Sequence, residues 1–289
     1  MPAVSPPLAP ALPAMGLSLL LRALFKRARP APPSSVPELV TEYRLERLPL
    51  ADIARYRSAF GFADGPVPLT WWYLCAQRAH LATMLDRRFP FRIAGLVHME
   101  NVLEEHGAVP PGQPLLLRTV LRLPPPSAGG ALRCVLETIG SADGAPVFTC
   151  SSTYLIRRGQ RSQGGRAREP EAAVLAALAG APLAQWTLDP AAGRRYARLS
   201  GDWNPIHLYG WSARLLGMRA PIIHGMHTLA AGCAALENTY GRHAVRIACR
   251  FRAPVALGTS VALYASADGA TFVVHGGDQP AVSGTCTLA

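Results

Sequence analysis

Lysine is nearly missing from this chain: Lys26 is its single example, and arginine carries the positive charge everywhere else. Acids are scarce too. Charged residues are 16% of the total, yet 29 basic side chains face 18 acidic ones, for a net charge of +11. A basic surface suits phosphate-bearing or acidic partners. The arginines are scattered, and no basic run is interleaved with aromatics, so the pattern argues against nucleic acid. A nucleotide-tailed cofactor, an acidic carrier protein and an anionic membrane surface all remain open. The six cysteines, at 75, 134, 150, 233, 249 and 286, form no C-x-x-C pair. Most stand among small or apolar residues and read as reduced, half-buried core positions of a cytoplasmic protein. No apolar run reaches the length of a bilayer span.

The first 37 residues contain no acid. "MPAVSPPLAPALPA" is rich in proline and alanine and is expected to be disordered. "MGLSLLLRALFKRARP" follows, a short apolar run with Arg22, Lys26, Arg27 and Arg29 in and after it. The charge follows the apolar part, the reverse of a secretory signal. Residues 1–36 therefore read as a disordered segment or an amphipathic helix that docks on the protein or weakly on a membrane surface, as a transit peptide, or as a product of a start codon set ahead of Met15.

A polar, glycine-containing stretch, Arg157 to Glu171, divides the rest. It sets out a first domain at 37–157, a linker at 158–179 and a second domain at 180–289. Both pieces show a short helix, a loop, a longer apolar helix and then strands. In the second, Asp189 and Pro190 mark a helix start. "HGMHTLAAGCAALENTYG" predicts a helix over 226–240 closed by Gly241. Its small and apolar residues run all round, so it should be buried on most sides. Four short β-branched segments follow. A buried helix wrapped by a curved antiparallel sheet is the economical packing. At an offset of 140, "ADIARYRSAFGF" lies over "AAGRRYARLSGD", with Ala51, Arg55, Tyr56 and Gly61 matching Ala191, Arg195, Tyr196 and Gly201. The match predicts a duplication, and its exceptions are informative. Asp202 falls on Phe62 and His207 on Val67, so only the second half carries an acid and a histidine there.

"SGDWNPIH" followed by a short helix and "PIIHGM" resembles the MaoC-like hydratase/dehydratase family, which includes the (R)-specific enoyl-CoA hydratases. The resemblance covers residues 180–289, with weaker motifs in the first half. It implies an α+β fold, a tandem (double) hot-dog in which each half wraps a long central helix in a curved antiparallel sheet. It also implies roles. Asp202 and His207 match the catalytic pair, and Gly225 the glycine whose N–H binds the thioester carbonyl. Asn204 and Pro205 match residues that shape the turn between acid and base. Cys233 stands on the central helix where a serine is frequent, and Tyr209-Gly210 where Asp-Pro is frequent. The implied substrate is an acyl-CoA or an acyl carrier protein thioester. Coenzyme A or phosphopantetheine enters only as part of that substrate, with no metal or other cofactor, and the chain could pair as a homodimer.

The chemistry explains the residue types. Adding water across C2=C3 of an enoyl thioester needs a positioned base, a proton for C2 and a donor for the thioester oxygen. An acid and a histidine aimed at one water supply the first two. A glycine N–H at a helix start supplies the third. Other groups read as structural. His224 and His227 form a His-x-x-His spacing without a third metal ligand, and His224 should buttress the turn. His98 reads as a core histidine, and Trp71, Trp72 and Tyr73 as core aromatics. Arginines 194, 195, 198 and 214 read as a solvated face or a phosphate contact. Residues 1–36, without acid or histidine, should be dispensable for catalysis. Two rivals stand beside the hydratase: a non-catalytic acyl-thioester-binding or assembly subunit, and a hot-dog thioesterase.

Overall fold

The computed structural model describes residues 8–28, 38–110, 112–127, 129–156, 178 and 180–289. The expected linker, apart from residue 178, lies outside the described residues. The first half comprises β1 (Leu39–Leu45), α2 (Leu50–Phe60), α3 (Leu69–Leu85), β2 (Leu96–Glu105), β3 (Leu115–Arg122), β4 (Leu132–Ala142) and β5 (Ala145–Ile156). It is preceded by a short helix, α1 (Leu17–Phe25). The second half runs β6 (Ala184–Thr187), α4 (Ala192–Ser200), a 3-10 turn (Pro205–His207), α5 (Gly210–Leu215), α6 (Gly225–Tyr240), β7 (Ala244–Phe251), β8 (Ser260–Ala265), β9 (Thr271–Gly276) and β10 (Gln279–Leu288).

All ten strands join one sheet in the order β1-β3-β4-β5-β2-β7-β10-β9-β8-β6. The first five and the last five repeat one arrangement about the central β2–β7 pair, which confirms the duplication at the level of topology. That antiparallel seam runs from Glu100 opposite Arg250 to Glu104 opposite Arg246. Both cross-strand pairs are ion pairs, at 2.9 Å and 3.3 Å. The strands that the apolar pattern did not disclose, β1 and β6, are the two sheet edges. They bury little (only Leu39 of β1 is fully enclosed), so neither shows a strong alternation.

Each half wraps a helix with little polar surface. In α3, thirteen of seventeen residues are buried. Trp72 stacks on Phe148 of β5 with ring centroids 5.0 Å apart. Fully buried Leu103, Leu115 and Leu117 face the same core, each worth about 2 kcal/mol of burial. The predicted central helix of the second half appears as α6, closed by Gly241 in the left-handed conformation at φ 64°. The short helices α2 and α4 end alike: Gly61 and Gly201 both adopt φ 74° and cap the preceding turn. The 140-residue offset thus holds up to these glycines. Beyond them the halves diverge, because the second half inserts the 3-10 turn and α5 before its long helix.

The proline-rich N-terminus is a correction to the expectation of disorder, from residue 8 onward. Leu12 N–H donates to Arg44 O and Arg44 N–H to Pro10 O, both at 2.8 Å. Arg78 of α3 donates to the carbonyls of Pro13 (2.8 Å) and Leu12 (2.9 Å). Proline lacks an N–H but keeps its carbonyl, so such a segment still serves as an acceptor strip. Leu12, Leu19 and Ala23 are buried beneath it. No described helix is long and apolar enough to cross a membrane.

Candidate active site

The Asp202 turn is built by its own sequence. After α4 stops at Gly201, Ser200 Oγ accepts from the Asp202 N–H (3.1 Å). Asp202 Oδ1 accepts from the Asn204 N–H (3.1 Å), and Asn204 Oδ1 accepts from Ile206 N–H (3.4 Å). These consecutive turns, with Pro205 opening the 3-10 turn, bring His207 back beside Asp202. Gly193 of α4 makes the approach feasible, because a side chain there would collide with the His207 carbonyl.

The two rings that meet Asp202 are both locked. His207 Nδ1 donates to Ile222 O at 2.8 Å, which leaves Nε2 as the lone-pair nitrogen of the neutral ring. His224 Nε2 donates to Asp202 O at 2.9 Å, the buttressing expected of it. The rings stack with centroids 3.7 Å apart. Asp202, His207 and His224 each offer a donor atom within 4.8 Å of the other two. These are metal-binding residue types, and one nitrogen of each imidazole is committed to a main-chain carbonyl, which leaves the other as its lone-pair nitrogen. His227 does not join them; its ring packs on Phe60 (5.2 Å) and Tyr196 (5.6 Å). The His-x-x-His spacing therefore splits between two environments.

Burial sets the protonation states. It depresses the His207 pKa, against a smaller opposing pull from Asp202. It pushes His224 down to about 3, with His207 adding to the effect. For Asp202, burial alone would favour the neutral acid. The two imidazoles, the Asn204 N–H and the Gln77 amide together outweigh it and hold the carboxyl below its ordinary range. The site thus sets a partly buried carboxyl that is favoured ionised beside an imidazole that burial favours neutral, the three groups titrating together.

Gln77 was not singled out from the sequence. It lies on α3 of the first half, and its Nε2 donates to Asp202 Oδ2 at 3.1 Å. Its Oε1 is buried without a partner. The available signal was its polarity amid the apolar "WWYLCAQRAHLA". Close by, His98 is sandwiched by Tyr73 (5.6 Å) and Tyr154 (4.8 Å) and touches Phe251 (4.8 Å). Burial lowers its pKa to about 4, consistent with a core histidine.

Gly225 is the first residue of α6, where helix N–H groups have no partner within the helix. A Cβ there would come within 2.7 Å of the Phe251 ring, so only glycine lets Phe251 pack against the head of the helix. Asn204 and Pro205 are brought to Asp202, as turn formers. Cys233 is not. It lies eight residues into α6, roughly 12 Å along the axis, and its thiol contacts Glu237 Oε1 at 3.7 Å. Its physical setting is the core, where burial raises its pKa well above the ordinary value. Glu237, the acid a thioesterase would need from α6, accepts from the Ala244 N–H (3.0 Å) and faces His243 (3.3 Å). Phe62, in the place of Asp202, is buried and stacks on Tyr56 at 6.2 Å. Of the four arginines, Arg195 pairs with Asp189, and Arg194 donates to Leu208 O (2.9 Å) and covers the Tyr209 ring (4.9 Å).

Known proteins place this geometry. A family described as MaoC like domain matches residues 175–288. The 3-hydroxyacyl-thioester dehydratase X of Mycobacterium tuberculosis is 30% identical over 229 residues, spanning 78% of this chain and 80% of that protein. The crystal structure of HtdX from the same organism superposes with a TM-score of 0.67 at 25% identity, covering 86% of this chain and all of that one (100%). A conserved hypothetical protein of M. tuberculosis with a double hotdog fold matches at a TM-score of 0.50 and 15% identity, over 88% of this chain and 94% of its own. The chain belongs to the MaoC-like dehydratase family and has the double hot-dog fold. Its class is that of the hydratases and dehydratases, the hydro-lyases.

Proposed function

We propose that this protein interconverts trans-2-enoyl and (R)-3-hydroxyacyl thioesters, carried on coenzyme A or on an acyl carrier protein. The observation that carries the reading is the pairing of a partly buried carboxyl, Asp202, with His207, whose Nδ1 is locked and whose Nε2 is left free. The resemblance to a 3-hydroxyacyl-thioester dehydratase supports the substrate class. In hydration, water held between Asp202 and His207 Nε2 loses a proton as its oxygen bonds to C3. The pair returns a proton to C2, so one water is added and the C2=C3 double bond is consumed. Charge that develops on the thioester oxygen meets the Gly225 N–H at the head of α6. Dehydration is the same path reversed. The balance uses no metal and no redox partner; coenzyme A or phosphopantetheine belongs to the substrate.

Loss of enoyl absorbance with purified protein tests the reaction, and release of free thiol would identify a thioesterase instead. Asp202→Asn and His207→Ala should each lower the rate by about two to four orders of magnitude. The double variant should be little worse than either single one, because both residues act on one water. Activity within a few-fold of wild type in either single variant refutes the pair.

A further inference from the structure

Helix α1 has two apolar faces. Leu19 and Ala23 are buried against the fold. Leu21, Leu24 and Phe25, one helical turn apart, form an outward stripe and are 43%, 42% and 73% exposed. A helix docked only on its own protein would be polar on its outer face. Beside the stripe lies a shallow, open surface hollow of about 300 Å³ lined by Arg22, Phe25, Lys26, Arg27, Leu85 and Arg87. No acid lines it. The nearby Asp86 carboxylate is engaged by Arg88 at 3.0 Å, and Lys26 donates to the Asp86 carbonyl at 2.6 Å. Among the described residues, Arg22, Arg27 and Arg87 form no ion pair.

We propose that α1 and Arg87 form a docking face for the surface of an anionic phospholipid bilayer. A free phosphate would account for the arginines but not for the protruding Leu-Leu-Phe stripe. A bilayer accounts for both. The stripe enters the acyl boundary while the arginines stay at the depth of the phosphates. With nine residues α1 is about 14 Å long, far short of a span, so it lies on the surface and does not cross it. The bonds from Arg78 and Arg44 to residues 10–13 tie the segment to the fold, so docking would orient the whole protein. Leu85 ends α3 eight residues beyond Gln77, about 12 Å along the axis, and Arg87 follows the helix, so the docking face is offset from the reacting groups.

The test is flotation of the full-length protein with vesicles of phosphatidylcholine, with and without phosphatidylglycerol. Binding is expected only to the anionic vesicles and should weaken with salt. Each cation near such a surface is worth about fivefold in partition. The triple variant R22Q/R27Q/R87Q should therefore bind about a hundredfold more weakly. Phe25→Asp should also release the protein, with hydration of a short soluble enoyl thioester unchanged. Leu21→Ser repeats that test should Phe25→Asp fold poorly. Failure to float, equal flotation with neutral vesicles, or indifference to both the charge and the Phe25 changes overturns the proposal. Capture of a purified acidic carrier protein by the wild type but not the triple variant, without vesicle binding, would overturn it in favour of a protein partner.

Discussion

Gln77 offers the sharpest test of how the two halves cooperate. Its amide donates to Asp202 Oδ2 at 3.1 Å from a helix of the half that lacks the polar pair. Both groups are largely enclosed, and hydrogen bonds to charged acceptors contribute about 1.5–3 kcal/mol. The bond is stronger to the ionised carboxylate than to the neutral acid, so it both aims Asp202 and depresses its pKa. In Gln77→Ala the bond is gone, burial acts with less opposition, and the Asp202 pKa must rise. If the full energy is lost from the reacting state, kcat falls by about one to two orders of magnitude. The acid limb of the pH–rate profile should move to higher pH. Gln77→Glu should go further, because two buried carboxyls in contact cannot both ionise readily.

The assay is enoyl hydration measured across pH, with thermal unfolding as the control for structure. A merely structural glutamine would lower Tm and leave the acid limb where it is. Gln77→Ala with an unmoved acid limb and kcat within twofold of wild type refutes the idea that the first half tunes the acid.

Three further outcomes follow from other contacts. His243 lies between Glu105 of β2 (3.2 Å) and Glu237 of α6 (3.3 Å), which raise its pKa to about 9. Its protonated form is the stabilised one, so the gain, about 2 kcal/mol after solvent screening, is complete below pH 6.5 and lost as pH rises through 9. Urea midpoints should fall over that window in wild type but not in His243→Ala. Removing residues 1–16 strips the Leu12 and Pro13 acceptors from Arg78 and lifts Met15 off Gly201; stability should drop by about 1–3 kcal/mol and kcat should fall. An unchanged Tm and kcat in that deletion would show the segment to be a passive appendage. Titration with a non-reactive acyl thioester should saturate at one per chain, since Phe62 and Val67 hold the places of the second pair, and two per chain would contradict that assignment.

The contact of Met15 with Gly201 also marks where sequence reasoning reached too short. Composition flagged residues 1–36 as lacking acid and histidine, but a segment can matter through its carbonyls and one side chain, which composition does not weigh. The legible parts were those with local causes. Gly61 and Gly201 announced equivalent helix ends, Gly241 closed α6, and "DWNPIH" encoded its own turns through Asp202 and Asn204 side chains bonding to nearby N–H groups. The illegible parts depend on long-range partners. The edge strands β1 and β6 have weak alternation because one flank meets no strand. Gln77 looked like an isolated polar residue on a buried helix until the fold carried it 125 positions to Asp202. Cys233 kept the sequence position of a pocket residue, yet α6 directs it to Glu237.

The asymmetry of the duplication then has a physical rationale. In the second half, the inserted 3-10 turn brings His207 onto His224, the residue that precedes α6, where the first helix N–H groups have no partner within the helix. In the first half, α3 begins shortly after Gly61, and the space held elsewhere by an acid is filled by Phe62 stacked on Tyr56. That packing removes a second reacting centre, and it leaves the face of α3 free to meet the first one. Tyr73, Gln77 and the ring of His98 all approach the Asp202 neighbourhood from this half, while the β2–β7 seam holds the halves in register through Glu100–Arg250 and Glu104–Arg246. A carboxylate flanked on one side by its own turn and on the other by a helix of the other half takes one donor from each, the Asn204 N–H and the Gln77 amide, and both help to keep it ionised. A single hot-dog half has no such second wall, so the altered copy is a working part of the site it no longer duplicates.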